Sequence, residues 1–271
     1  MKYQEFLFKV ASPTLASLMI LLNAAIISIM TFITDATRRR KLIYILNQAV
    51  ADMCLGITIL AVKGMGVLER SYPDNKTIKE ARFILQIKVM PLSLYISVLS
   101  VAVITLDRFF MIFYPIRYVN VRYWKKRGTC VFIWLASAST VVLLHIFFRD
   151  SKRDILTPAL VLMTVFLVSV SYVQIRRRLK QNSASFVQQG MQRRATSLIE
   201  KRFTEFCFQS FMLFVLCWLP ISIYGILYVQ NYFDGWLYYM DFRYTCHILA
   251  FSNSVLSPIL FLVYFLRSRH N

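Results

Sequence analysis

Seven stretches long and apolar enough to cross a bilayer are strung along this chain. A helix needs about 20 apolar residues to span the hydrocarbon. Such runs lie at Val10–Ile33, Leu42–Val62, Phe83–Tyr114, Thr129–Phe148, Ile155–Ile175, Phe203–Val229 and Tyr244–Leu266. In lipid each spanning segment must satisfy its own backbone polar groups, so these runs are expected to be helices. The expected fold class is an all-α integral membrane protein, a seven-transmembrane helix bundle forming a single domain over residues 1–271. The first run is too long for a signal-peptide core and has no small-residue cleavage site, so it should stay as a helix.

The net charge is +19, from 32 Lys and Arg against 13 Asp and Glu. Such an excess suits a nucleic-acid binder or a membrane protein with basic loops. A nucleic-acid binder carries its charge as a face. Here the basic residues cluster between long uncharged runs, which excludes nucleic acid and leaves membrane lipids as a partner. Lys and Arg mark cytoplasmic loops. With the N-terminus outside, the inner segments hold Arg38–Lys41, Arg117–Arg127, Arg176–Lys180, Arg193, Arg194, Lys201, Arg202, Arg267 and Arg269, and the outer segments hold fewer. N-out and C-in is therefore expected. The sequon Asn75-Lys76-Thr77 then falls outside, which makes Asn75 a glycosylation candidate. Glu69–Arg82 and Arg117–Arg127 read as polar loops, and Gln181–Met191 as disordered.

A seven-span metal hydrolase needs several histidines and an acid at membrane depth. The chain has only His145, His247 and His270, near span ends and on different sides, so no enzyme and no metal site is expected. Cys54, Cys130, Cys207, Cys217 and Cys246 are not at metal-ligand spacing and read as small buried apolar side chains. A transporter built on inverted repeats would show internal symmetry, and none is visible.

Polar groups inside the spans are the functional candidates. They include Asn23, Asn47, Asp52, Ser97, Trp134, Asn253, Ser254 and Ser257. No Lys or Arg lies at the depth of Asp52 on any span. Its carboxylate must be protonated, paired or bound to a cation. A hydrated monovalent cation on Asp52, Ser97, Asn253 and Ser254 is one answer; a neutral Asp52 bonded to its neighbours is the other. Pro220 and Pro258 lie within spans and remove a helical hydrogen bond each, so each is a kink or a hinge. Asp107 and Arg108 close the third run at Leu106–Pro115. They form a switch, or a helix end that meets water.

The order of these residues resembles that of the rhodopsin-like (class A) G-protein-coupled receptors over residues 12 to 267. Asn23, Asp52 in Leu46–Asp52, Asp107-Arg108-Phe109, Trp134, Tyr172 and Ile175, Phe214/Cys217/Trp218/Pro220 and Ser257–Phe261 each match a motif of one helix, and Pro115 stands at the expected place in the loop after the third. Ser257 and Phe261 replace the usual Asn and Tyr of the last motif. The resemblance implies a plasma-membrane, multi-pass receptor that passes an extracellular small-molecule or peptide signal to a heterotrimeric G protein. It implies an activation switch of Asp107, Arg108, Glu200, Tyr172, Phe214, Trp218, Pro220, Ser257, Pro258 and Phe261. Arg108 would pair with Asp107 and Glu200 at rest and turn toward Tyr172 when the sixth helix swings about Pro220. It implies no cofactor beyond a sodium ion near Asp52, with Asn23, Ser97, Asn253 and Ser254. The ligand pocket is expected at Met90, Pro91, Leu94, Trp218, Ser222, Arg243, His247 and Phe251. Met90 stands where amine receptors carry an aspartate and Phe251 where opsins carry a lysine, which argues against both ligand classes. Phe83 stands near the usual outer cysteine, and Arg149–Asp154 is too short for a lid. These departures suit a compact member of the invertebrate chemosensory kind, or an incomplete gene model. The alternative is a receptor-like protein that binds a ligand or partner without coupling to a G protein.

Overall fold

The computed structural model describes residues 2–32, 36–147, 153–185, 191–229 and 240–269, with side chains over 9–32, 42–147, 158–181, 202–227 and 244–267. Among the described residues there are nine α-helices and no strand: α1 (Lys2–Phe32), α2 (Ala36–Ser71), α3 (Lys76–Ile84), α4 (Met90–Phe113), α5 (Pro115–Val119), α6 (Tyr123–Phe147), α7 (Arg153–Ser185), α8 (Met191–Val229) and α9 (Met240–Arg269). A π-helical turn, Leu85–Val89, joins α3 to α4, so the two act as one long element. Seven segments are long and apolar enough to span a membrane, in the order expected from the runs.

The spans run longer than the apolar runs. Hydropathy marks where lipid ends, whereas helix propensity decides where the helix ends, and Glu, Arg, Lys and Gln are good helix formers. So α2 runs nine residues past Val62, and most of Glu69–Arg82, expected as loop, is helical. Asn75 starts α3 as its N-cap, accepting from the Ile78 N–H at 3.3 Å, and it is exposed. Arg117–Arg127 is likewise mostly helical rather than loop, because Pro115 has the fixed φ of a first helical position and starts α5. Within Gln181–Met191, α7 continues to Ser185; the disorder expected at 186–190 lies outside the described residues. The π turn precedes Pro91, which has no N–H to return to Ile87; the Met90 N–H reaches back to the Leu85 carbonyl instead.

The helix α4 is central: it packs on α2, α6, α7 and α8, while α1 closes the ring between α2 and α9. The main core lies at the Arg108 end and mid-depth, around Val98, Val168, Tyr172, Ile175, Phe206 and Phe214. Lipid-facing side chains such as Leu21, Phe132, Leu135, Phe166 and Leu216 stay exposed, as expected where the surrounding solvent is hydrocarbon. The α1–α2 contact is close enough to require glycine. A Cβ on Gly56 would meet the Ala16 carbonyl oxygen at 2.9 Å and the Met19 Cβ at 3.1 Å.

Candidate functional site

Three helices are tied together by Asn47 of α2. Its side-chain carbonyl accepts from the Trp134 indole N–H of α6 at 3.0 Å. Its amide donates to the Ser100 hydroxyl of α4 at 2.9 Å. Ser100 in turn donates to the Ile96 carbonyl. Asn47→Leu leaves the indole N–H without its acceptor inside the bundle. A loss of about 1–3 kcal/mol is expected, read as a lower melting temperature of the detergent-solubilised chain.

Asp52 of α2 accepts from the Ser254 hydroxyl of α9 at 2.9 Å, and Ser97 of α4 lies near the same carboxylate. Asn23 of α1 donates to the Ser254 carbonyl at 3.1 Å and to the Met19 carbonyl at 2.9 Å. Asn253 is buried, and neither atom of its amide has a hydrogen-bond partner among the described residues. Beneath Asp52 a cavity of about 40 Å³ is lined by Asn23, Gln48, Asp52, Cys207, Ser210, Ser257 and Phe261, among others. A volume of that size admits a water molecule or a small ion. Of the residues expected around a monovalent cation, Asp52 and Asn23 line this cavity, whereas Ser97, Asn253 and Ser254 are not part of its lining. Gln48 and Ser210, which also line this cavity, are not among the polar candidates the sequence singles out.

At the end of α4, Arg108 is 1% exposed. Its guanidinium pairs with the neighbouring Asp107 carboxylate, donates toward the Met111 sulfur at 3.3 Å and the Tyr118 hydroxyl at 3.3 Å, and lies 4.5 Å from the centre of the Phe203 ring. Phe203 belongs to α8, stacks on Phe206 and meets Tyr264 of α9 at a tilt. A guanidinium over an aromatic face is attracted by the ring quadrupole. The cover on Arg108 is thus an aromatic shelf built by α8 and α9. The charges at Asp107 and Arg108 do not simply meet water.

Asp107 is shared. Its other oxygen accepts from the Lys126 ammonium of α6 at 2.7 Å. The Tyr118 hydroxyl of α5 donates to Asp107 at 2.8 Å and accepts from Lys126 at 2.7 Å. Burial pushes the Tyr118 phenol well above its ordinary range, with Asp107 adding to that and Arg108 opposing it. Tyr118 therefore stays a neutral donor. Sequence alone singles out neither Tyr118 nor Lys126. Both sat in what looked like a solvated basic loop, and only the helical fold of α5 and the early start of α6 turn them inward.

The other expected switch residues fall into two groups. Phe214 stacks on Trp218 at 6.0 Å between ring centres, two residues before Pro220, and Phe261 packs on Phe206. Tyr172 does not reach Arg108. Its ring lies against Phe208 and Phe211, and its buried hydroxyl lies near Thr105, whose own hydroxyl donates to the Val101 carbonyl. Glu200 lies one turn before Phe203 in α8, with its side chain outside the described residues.

A model of the seven-transmembrane receptors of the rhodopsin family matches residues 22–158, a little over half of the chain. The chain belongs to that family. It is therefore a multi-pass membrane protein of receptor type. Among curated relatives, the Glucose-dependent insulinotropic receptor of Homo sapiens is 31% identical over 134 residues, which is 49% of this chain and 39% of that receptor. The match thus spans well under half the length of that relative.

At the opposite end of the receptor, Met90, Leu94 and Phe251 pack with Ala16, Met19 and Leu55 in a second core cluster, and His247 meets Phe251 edge-on at 6.2 Å. Ser222 is buried and donates to the Trp218 carbonyl at 2.8 Å. Pro91 follows Met90 in the first turn of α4. The side chain of Arg243 lies outside the described residues.

Proposed function

We propose that this receptor couples an extracellular small-molecule or peptide ligand to a heterotrimeric G protein across the plasma membrane, with the Arg108 end of the bundle in the cytoplasm and the N-terminus outside. The observation that carries this reading is the buried, shared Arg108. A guanidinium held between an acid on its own helix and an aromatic ring on a neighbouring helix has two ways to be satisfied. Moving α8 removes the ring, and a basic group then becomes available to a partner at the membrane face. The pair is worth a few kcal/mol at most once desolvation is counted. That suits an equilibrium which a ligand can bias.

Ligand contact at Met90, Pro91, Leu94, Ser222, Arg243, His247 or Phe251 reaches this end through Trp218, Phe214 and the α8 segment below Pro220. A monovalent cation at Asp52, with Ser97, Ser254, Asn253 and Asn23, neutralises the carboxylate and ties α2, α4 and α9 together in the resting state. Glu200 adds a second acid for Arg108. Ser257, Pro258 and Phe261 form the matching seam on α9. Carbohydrate on Asn75 marks the outer face.

The experiment is a panel of G-protein dissociation, cAMP and calcium readouts in cells expressing the wild type and Arg108→Ala at equal surface level. Signalling above background by the wild type, reduced at least about tenfold by Arg108→Ala, is expected, since a loss of roughly 1.4 kcal/mol at the partner contact suffices for it. Ser257 and Phe261 favour a second reading, in which the protein binds a ligand or partner without G-protein coupling. Phe261 is 1% exposed and offers a ring where a hydroxyl would reach water. Under that reading Arg108→Ala changes none of the three readouts.

A further inference from the structure

Asp107 faces two buried cations, not one. Lys126 is 5% exposed, and its ammonium sits 2.7 Å from one carboxylate oxygen while Arg108 holds the other. Buried lysines are rare unless paired, and this one also lies 4.4 Å from the centre of the Tyr118 ring and 5.6 Å from that of Tyr44. It enters from α6, a helix with no part in the movement of α8. A buried carboxylate that loses its sole counter-ion is strongly destabilised. If Arg108 were the only cation on Asp107, its release would leave such a charge behind.

We propose that Lys126 is the standing counter-ion of Asp107, a positioning residue that stays in place when Arg108 leaves and so makes the release of Arg108 less costly. This rests on the switch reading above. In the resting state the acid divides its attraction between two cations, which weakens its hold on Arg108. In the released state Lys126 and Tyr118 keep the acid satisfied through contacts already formed. Removing the Lys126 charge should therefore tighten the resting state, where the loss of an ordinary structural ion pair would loosen it.

Cys207 supplies a native reporter. It lies on α8, 3% exposed, within electrostatic reach of both Arg108 and Asp107. Opening of α8 away from α4 uncovers it. Cys246 on α9 is 1% exposed and belongs to the opposite half of the receptor, so it reports global unfolding. The full chain is placed in lipid nanodiscs and treated with iodoacetamide, and modification of each cysteine is followed by peptide mass spectrometry. Lys126→Met and Lys126→Gln should slow modification of Cys207 by at least about threefold, and Lys126→Arg should restore the wild-type rate. Asp107→Asn should speed it by about as much, and adding Lys126→Met to Asp107→Asn should change nothing more, because the two residues act through one contact.

If both neutral variants leave the Cys207 rate unchanged or faster while Asp107→Asn speeds it, the switch stands and the counter-ion role is overturned. If Asp107→Asn has no effect, the switch reading falls and takes this inference with it. If the neutral variants expose Cys246 as well, Lys126 is a plain structural pair, which also overturns the proposal.

Discussion

Gly56→Leu is expected to abolish the folded receptor, whereas Gly64→Ala on the same helix should leave it intact or slightly more stable. At Gly56 the α1 backbone is the obstacle: a Cβ would stand 2.9 Å from the Ala16 carbonyl oxygen. A backbone atom cannot rotate away as a side chain can, so α1 and α2 must separate. Within a membrane, helices associate through close packing rather than through the hydrophobic effect, and small residues permit the approach. Even Gly56→Ala should cost about 1–3 kcal/mol as overpacking, and leucine several times more strain. Around Gly64 nothing lies within 4 Å of an added Cβ, and alanine gains up to about 1 kcal/mol of helix propensity there. Fluorescence-detected size exclusion and thermal melting of the three variants read this directly. Equal monodisperse yield of Gly56→Leu and the wild type would contradict the packing described.

The second large effect is functional. Asp107→Asn should raise ligand-free signalling severalfold. The substitution keeps the shape of the side chain and removes the charge that holds the guanidinium of Arg108. The Phe203 ring and the neutral contacts to Tyr118 and Met111 then hold Arg108, and cation–π attraction is worth about 1–2 kcal/mol when desolvated. Losing one or two kcal/mol from the resting side changes the ratio of states by roughly 5–30-fold. The gain should appear without any added ligand and at unchanged surface expression. A basal signal equal to that of the wild type at matched expression would show that Asp107 does not restrain Arg108.

What could be read in the sequence follows from how each signal is generated. The seven spans were legible because bilayer thickness imposes a length of apolar residues that no soluble fold demands. The extents were not. The chain of α2 to Ser71 and of α7 to Ser185 obeys propensity beyond the membrane, and the polar runs there look like loops to hydropathy alone. Asp52, Asn23 and Ser254 were legible as a group because isolated polar residues at membrane depth need one another, and Ser254 does bond to Asp52. Asn253 was expected beside them, yet its amide makes no hydrogen bond among the described residues. Lys126 and Tyr118 were invisible for the opposite reason. In a run of basic residues each Lys looks solvated, and only the register of α6 distinguishes the buried Lys126 from the exposed Lys125 and Arg127 beside it. Phe203 reads only as the start of a span, because an aromatic at a helix end carries no hint of the guanidinium it will cover.

One comparison reaches the central claim without knowledge of the ligand. Ligand-free dissociation of a panel of heterotrimeric G proteins is measured in cells expressing the wild type, Asp107→Asn, and Asp107→Asn combined with Arg108→Ala. The account predicts that Asp107→Asn activates at least one G protein severalfold above the wild type and that adding Arg108→Ala returns the signal to background. A signal that survives the loss of Arg108, or a panel that never responds to Asp107→Asn at full surface expression, would contradict it.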